Sequence, residues 1–364
     1  MLSKVSIRWA EPSLDEEEKE ALKEVIDSTW IGGNGPKTRE FEKEFARTVN
    51  ARYALAVNNG TSALMCALLA LREKYPLFNV IVPTFTFIAT ANVPRVFKIE
   101  MELVDARKDT WNLEVPSYLK GDVIMAVDVG GLPCDYDRLK KTGAIILEDA
   151  AEAVGGIYRG KKVGSISDIT TFSFHSAKVM STGEGGMITT NNKELYQIMK
   201  SITNQGYPEN KKAWEYEHPR VGLNFRMTEM QSALGLVQLK KLSKFLRNRR
   251  EIARIYKEEL KKYGEFQRVP KDRVHPYFLF GILVEPKKRE KLIQELRKNG
   301  IGVKVTWKPV HLQRPYKDEF SLKKFTNAEY LYKRIISLPI HNKMNEEDAK
   351  EIVSIFKKCW RKIK

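Results

Sequence analysis

Between Ala51 and Ile188 the chain returns again and again to short apolar, β-branched runs, several of them separated by helical patterns. "YALAV", "NVIVP", "EMELVD", "VIMAVDV", "AIILED", "ITTFSF" and "GGMITT" read as strands, and "SALMCALLALREKY" and "YDRLKK" as helices between them. Such alternation predicts an α/β domain built on a mostly parallel sheet covered on both faces. From about Leu234 to Tyr263 one long helical stretch follows, with room for one break. Beyond it come a strand at "YFLFGILV", a helix at "REKLIQELRKNG" ended by glycine, and a last helix at "NEEDAKEIVSIFKKCW". A large domain over residues 1–240 and a smaller α+β domain over 241–364 are expected. A chain of 364 residues that is 42% hydrophobic can fill two such cores.

The formal net charge of +17 raises the question of a nucleic-acid partner. The pattern argues against a specific one: lysine and arginine share segments with glutamate, as in "EIARIYKEELKKYGE", the mark of solvated helix faces. Only "KKCWRKIK" is densely basic. Surplus positive charge also suits a phosphorylated or diphosphate substrate. Cys66, Cys134 and Cys359 stand far apart and suggest neither a disulfide framework nor a zinc knuckle. No apolar run long enough for a signal peptide precedes "SLDEEEKE", and "ALMCALLAL" is too short to cross a bilayer. A soluble, cytoplasmic protein without a membrane partner is expected.

In open α/β sheets ligands gather where strands end, so the residues after each strand carry the chemistry. In "NNGTSAL", Thr61 or Ser62 can cap a helix whose free N–H groups would receive a phosphate; alone, the stretch reads best as a plain cap and glycine turn. In "AIILEDAAEAVGG", Asp149 closes an apolar strand where a buried carboxylate needs a cationic or hydrogen-bonding partner, such as a protonated pyridine nitrogen; a capping aspartate accounts for it equally well. In "FSFHSAKVMSTGEGGMITT", Lys178 follows a strand and precedes a glycine cluster. A loop lysine is ordinarily a surface group. The two apolar strands flanking this loop weaken that reading and are consistent with a desolvated, nucleophilic amine. No GxGxxG, Walker, HExxH or GxSxG motif competes, and the five histidines have no metal-binding spacing.

Together with "STWIGGNGPKTREFEKEFA", "VPTFTFIATANV", "DVGGLPCDYDRL", "GLNFRMTEMQSALGLVQL", "KPVHLQRPY" and "SLPIH", these stretches resemble the DegT/DnrJ/StrS family of pyridoxal-phosphate sugar aminotransferases, across nearly the whole chain. The resemblance implies the aspartate-aminotransferase fold (fold type I) and a homodimer with composite active sites. It also implies transfer of an amino group, from glutamate, to a nucleotide-linked keto-sugar. Lys178 would anchor pyridoxal 5'-phosphate covalently and shuttle the proton. Asp149 would hold the ring nitrogen protonated and Phe87 would support the ring, leaving Phe85 to core packing. Gly60, Thr61, Ser62 and Ser173 would receive the phosphate, with Asn224 reaching it from the neighbouring subunit. Glu152 stands where relatives carry glutamine or histidine against the phenolic oxygen; an ionised glutamate would repel a phenolate, so it is either protonated or turned away. Trp30, Arg226 and His311 would line the substrate cleft, with packing at a domain junction an even alternative for Trp30 and His311. His175 is expected to pack. A sugar dehydrase of this family replaces the anchoring lysine by histidine, so Lys178 argues against that activity. The intact lysine, aspartate and phosphate loop disfavour a non-catalytic regulatory protein.

Overall fold

The computed structural model describes residues 6–115, 122–208 and 217–363. Seven strands, β1 (Tyr53–Val57), β2 (Val80–Pro83), β3 (Met101–Val104), β4 (Val123–Val127), β5 (Ile145–Asp149), β6 (Ile169–Ser173) and β7 (Gly186–Thr190), form one sheet in the order β1-β7-β6-β5-β4-β2-β3. Each is one of the seven runs read as a strand. Parallel pairing joins β3 to β2, β2 to β4, β4 to β5 and β5 to β6; β7 alone runs against both its neighbours. The chain passes from β6 to adjacent β7 through a loop without an intervening helix, so β7 must reverse. That loop carries Lys178.

Both faces of the sheet are covered, which is why strand positions are mostly buried rather than alternately exposed. On one face Met125, Val127, Leu147 and Ile169 pack with Leu64, Ala67 and Leu71 of the helix Gly60–Lys74. On the other, Ile124, Ala126 and Ile146 pack with Tyr136 and Leu139 of the helix Tyr136–Lys140. The stretch with room for a break is one uninterrupted helix, Glu229–Leu260. Thr228 and Gln231 close its start in a capping box.

A second core gathers Ile252, Tyr256 and Leu260 of this helix around a three-stranded antiparallel sheet of Glu265–Phe266, Phe280–Leu283 and Ile335–Leu338, with Leu292, Ile352 and Phe356 from two covering helices. Between the second and third of these strands the chain returns to the first core, where Val310, Tyr316, Phe325 and Leu331 are buried. Many of the basic side chains meet acidic neighbours, as in Arg254 with Glu258 at 2.7 Å and Lys362 with Glu295 at 2.6 Å. Among the described residues no helix is long and apolar enough to cross a membrane.

One buried cation ties the two cores together. Arg249, 1% exposed, donates through Nε to Asn342 Oδ1 at 2.7 Å and through a terminal nitrogen to the carbonyls of Tyr277, Phe278 and Ile340 at 3.0 to 3.2 Å. Replacing Arg249 by Met strands these acceptors without water, and should lower stability by about 3 kcal/mol or more. The urea midpoint of unfolding measures it.

Candidate active site

The β6–β7 loop is closed at its neck by Phe174 N–H to Gly185 O (2.8 Å) and Thr182 N–H to Phe174 O (2.9 Å). Within it the Lys178 N–H bonds to His175 O at 2.8 Å, and Val179 and Met180 are buried. The Lys178 side chain, 15% exposed, is thereby turned inward. Its Nζ lies 3.6 Å from Glu152 Oε1 and 4.2 Å from the centre of the Phe278 ring. His175, expected to pack, is instead exposed, its Nδ1 accepting the Ala177 N–H at 3.2 Å. At the end of β6 the backbone turns into the loop, so its side chain faces out.

Asp149 ends β5 and is 6% exposed. Its Oδ2 accepts from Thr90 Oγ1 at 2.8 Å and its Oδ1 from Ala151 N–H at 3.2 Å. Burial pushes its carboxyl above the usual range, opposed by these donors and by the nearby charge of Lys178. Thr90 Oγ1 also lies 3.1 Å from the carbonyl of Phe87, which sets that residue beside Asp149. The Phe87 ring is 52% exposed and meets Trp307 edge-on at 5.3 Å, whereas Phe85 is wholly buried. Of the two aromatics, only Phe87 has a free face to offer a flat ligand.

Glu152 is neither in solution nor turned away. Its Oε2 accepts the Gly130 N–H at 2.8 Å, and its Oε1 faces Lys178 with no hydrogen-bond partner among the described residues. Burial drives this carboxyl up as well; the charge of Lys178 and the Gly130 bond pull it back.

The phosphate loop differs from expectation in its cap. The helix begins at Gly60, and the cap is Asn59, whose side chain accepts the Ser62 N–H at 2.8 Å; Thr61 and Ser62 already lie inside the first turn. The Ser62 N–H is therefore engaged. Those of Gly60 and Thr61, at the positive end of the helix, have no partner among the described residues. A Cβ at Gly60 would stand 2.8 Å from Ser173 Cβ, so only glycine lets this turn lie against the end of β6 with the Ser173 hydroxyl beside it.

The substrate-facing candidates are not all gathered here. Arg226 pairs by backbone with Val57, next to the phosphate loop, and its guanidinium donates to Asn204 Oδ1 at 2.8 Å. Asn224, two residues earlier, is exposed on the same edge. Trp30 is exposed. His311 is buried, its Nδ1 2.7 Å from Thr84 Oγ1, its ring against Phe325 at 4.5 Å and its Nε2 3.8 Å from Glu329; burial holds its pKa below the ordinary value. Three contributors escaped the sequence reading. Thr90 carried the signal of a threonine in an apolar helix start, and Gly130 that of a glycine pair after a strand. Phe278 carried none, lying in the second half of the chain.

Pyridoxal phosphate fits these groups. A buried carboxyl without a contacting cation suits its ring nitrogen, the open first turn of a helix its phosphate, and an inward lysine its aldehyde. The DegT/DnrJ/EryC1/StrS aminotransferase family model matches residues 12–357. The chain belongs to this family. GDP-perosamine synthase of Escherichia coli O157:H7 is 37% identical over 349 residues, which cover 93% of this chain and 94% of that one. The structure of Helicobacter pylori PseC, an aminotransferase involved in the biosynthesis of pseudoaminic acid, superposes with a TM-score of 0.92 at 30% identity, covering 98% of this chain and 99% of the other. Spr1654 from Streptococcus pneumoniae, solved in PLP and PMP forms, is 28% identical; its PLP form gives a TM-score of 0.89 over 98% of this chain and 99% of that chain. The protein is thus a pyridoxal-phosphate-dependent aminotransferase.

Lys178→Ala should leave the circular dichroism spectrum unchanged, because a partly exposed loop side chain carries little packing, and should abolish turnover. Borohydride should fix the cofactor to residue 178 of the wild type alone, as read by peptide mass. Turnover by the variant at the wild-type rate would remove Lys178 from the chemistry.

Proposed function

We propose that the enzyme moves an amino group from glutamate to the keto carbon of a nucleotide-linked sugar, in a homodimer whose sites each borrow Asn224 from the other chain. The observation that carries this reading is Lys178, held between Glu152 and Phe278 in the position where a dehydrase of the family has histidine. The relative named GDP-perosamine synthase supports a nucleotide sugar as the acceptor class. Exposure of Asn224 on the sheet edge supports its service to a second chain.

When bound, pyridoxal phosphate supplies an electron-poor ring that stabilises negative charge on the substrate carbon. The residues have separate tasks. Asp149 stays ionised to keep a proton on the ring nitrogen, and Thr90 holds it in place. The N–H groups of Gly60 and Thr61, with the hydroxyls of Ser62 and Ser173, hold the phosphate. Lys178 Nζ takes the proton from the α-carbon of glutamate and is placed to return one to the keto carbon of the sugar. Burial favours the uncharged form of Glu152, and in that form it does not oppose an anionic oxygen beside the lysine. Trp30, Arg226 and His311 would contribute to the cleft for the sugar nucleotide, Arg226 as the partner for a carboxylate or diphosphate.

Glutamate added alone should bleach the cofactor's long-wavelength band and release one equivalent of 2-oxoglutarate. The accepted keto-sugar nucleotide should then restore the band. A spectrum indifferent to every amino donor, in a protein that still removes water from a nucleotide sugar, would replace this reading by the dehydrase.

The shared site has its own test. Mixing Lys178→Ala with a strongly impaired Asn224 variant should recover activity, since a heterodimer collects both lesions in one site and leaves the other whole. No recovery after verified subunit exchange would return Asn224 to its own chain's site or to none.

A further inference from the structure

Behind β5, on the face away from Lys178, lies a cluster that the reaction does not use. Asp128, Tyr136 and Glu148 are each 0% exposed. The Tyr136 hydroxyl oxygen is 2.6 Å from Asp128 Oδ1 and 2.6 Å from Glu148 Oε1. A phenol has one proton and can donate to only one of them. With both carboxylates ionised, the second 2.6 Å contact would set a lone pair against an anion in a space sealed from water. One carboxyl must therefore carry a proton and donate it to Tyr136. Asp128 Oδ1 also accepts the Cys134 N–H at 2.8 Å, and Glu148 Oε2 accepts from Thr170 Oγ1 at 2.7 Å. Glu148 Oε1, Tyr136 and Asp128 Oδ1 thus form one hydrogen-bonded chain in which the protonated carboxyl donates to Tyr136 and Tyr136 donates to the other carboxylate.

The other groups facing this cluster do not neutralise it. Tyr158 meets Tyr136 edge-on at 5.5 Å, the Cys134 thiol donates to Val127 O, and the Arg273 guanidinium lies over Tyr158 and 3.8 Å from Asp135. Burial pushes both carboxyls up, and for Asp128 the charge of Glu148 adds to it.

Asp128 also shapes the turn that follows β4. Its carbonyl accepts the Gly131 N–H at 2.9 Å and its carboxyl holds Cys134. Between these anchors Gly130, at φ +71°, directs its N–H to Glu152 Oε2. Gly131 approaches so closely that a Cβ there would stand 2.6 Å from the Glu152 carbonyl.

We propose that Asp128, Tyr136 and Glu148 share one buried proton, and that this proton pins the turn whose Gly130 N–H holds Glu152 against Lys178. The three are positioning residues. When the proton leaves, two carboxylates repel each other across the phenol oxygen, the turn loosens and Glu152 loses its anchor. The sign follows from the raised carboxyl pKa values. The folded chain binds more protons than the unfolded one, so stability falls as pH rises from the ordinary carboxyl range toward the folded-state value.

The last link rests on the active-site reading above, whereas the shared proton is read without substrate, so the two fail separately. Glu148→Gln keeps a donor toward Tyr136 and removes the titration. In the holoenzyme it should carry the alkaline limb of the kcat profile, and that of the thermal unfolding profile, at least one pH unit upward. The infrared spectrum of the wild type near neutral pH should contain a protonated-carboxyl band that exchanges slowly in heavy water, is unmoved by cofactor, and is missing from the variant. Superimposable pH profiles for wild type and variant would overturn the positioning role. Absence of the slowly exchanging band in the wild type would overturn the shared proton, even should Glu148→Gln fail to fold.

Discussion

A carboxyl buried at the end of β5 with two hydrogen-bond donors and, among the described residues, no cation in contact is the arrangement on which the rest of this structure turns. Left uncompensated, such a group costs several kcal/mol as an anion and responds by holding its proton. The surroundings of Asp149 oppose that response. Thr90 and Ala151 donate to it, and the charge of Lys178 lies near enough to favour its ionised form. The site is therefore built for a positive group to arrive, and the parallel strands put everything else within reach. Their carboxyl ends are the one rim of a doubly covered sheet where polar groups from β4, β5 and β6 can converge.

Much of this was legible from local pattern. The seven strands were readable because a sheet buried on both faces demands continuous apolar runs, and Asp149 and Lys178 stood out as charges at the ends of such runs. What stayed hidden depended on contacts between distant segments. "NNGTS" offers several capping side chains, and only the fold shows that Asn59 takes the Ser62 N–H while the first two amides have no partner among the described residues. Phe278 reaches Lys178 because Arg249 fixes the 277–278 backbone, a relation no spacing reveals. Periodicity likewise cannot say which core a helix enters, so the return of Val310, Tyr316 and Phe325 to the large sheet was out of view. The single helix over Glu229–Leu260 keeps an apolar stripe that serves two cores in turn, and that change of partner resembles a break in the sequence.

Part of the surface charge is paired, and the net +17 is the excess that pairing leaves. Lysine and arginine meet glutamate and aspartate on neighbouring turns and between helices, an arrangement that contributes little per pair and screens readily with salt. The excess that remains would bias the surroundings toward anionic ligands without selecting any one of them.

The interior poses the opposite problem. Asp128, Glu148, Asp149 and Glu152 are all buried around the ends of two adjacent strands, and Lys178 is the amine near Asp149 and Glu152, while Asp128 and Glu148 lie on the opposite face. Four anions against one cation in that volume would repel by several kcal/mol for each close pair, so the four cannot all be ionised. The contacts indicate how the charge is divided. Asp149 has donors on both oxygens and faces the lysine's charge, which favours the anion. Glu152 has one donor and one oxygen open toward the amine; burial favours its neutral form, and the charge of Lys178 favours the anion. Asp128 and Glu148 are bridged by a phenol that can satisfy only one of them as an anion. Alternation along β5 then separates the two functions. Glu148 faces the sealed layer, where a fixed proton can stiffen the frame, while its neighbour Asp149 faces the site, where charge is needed.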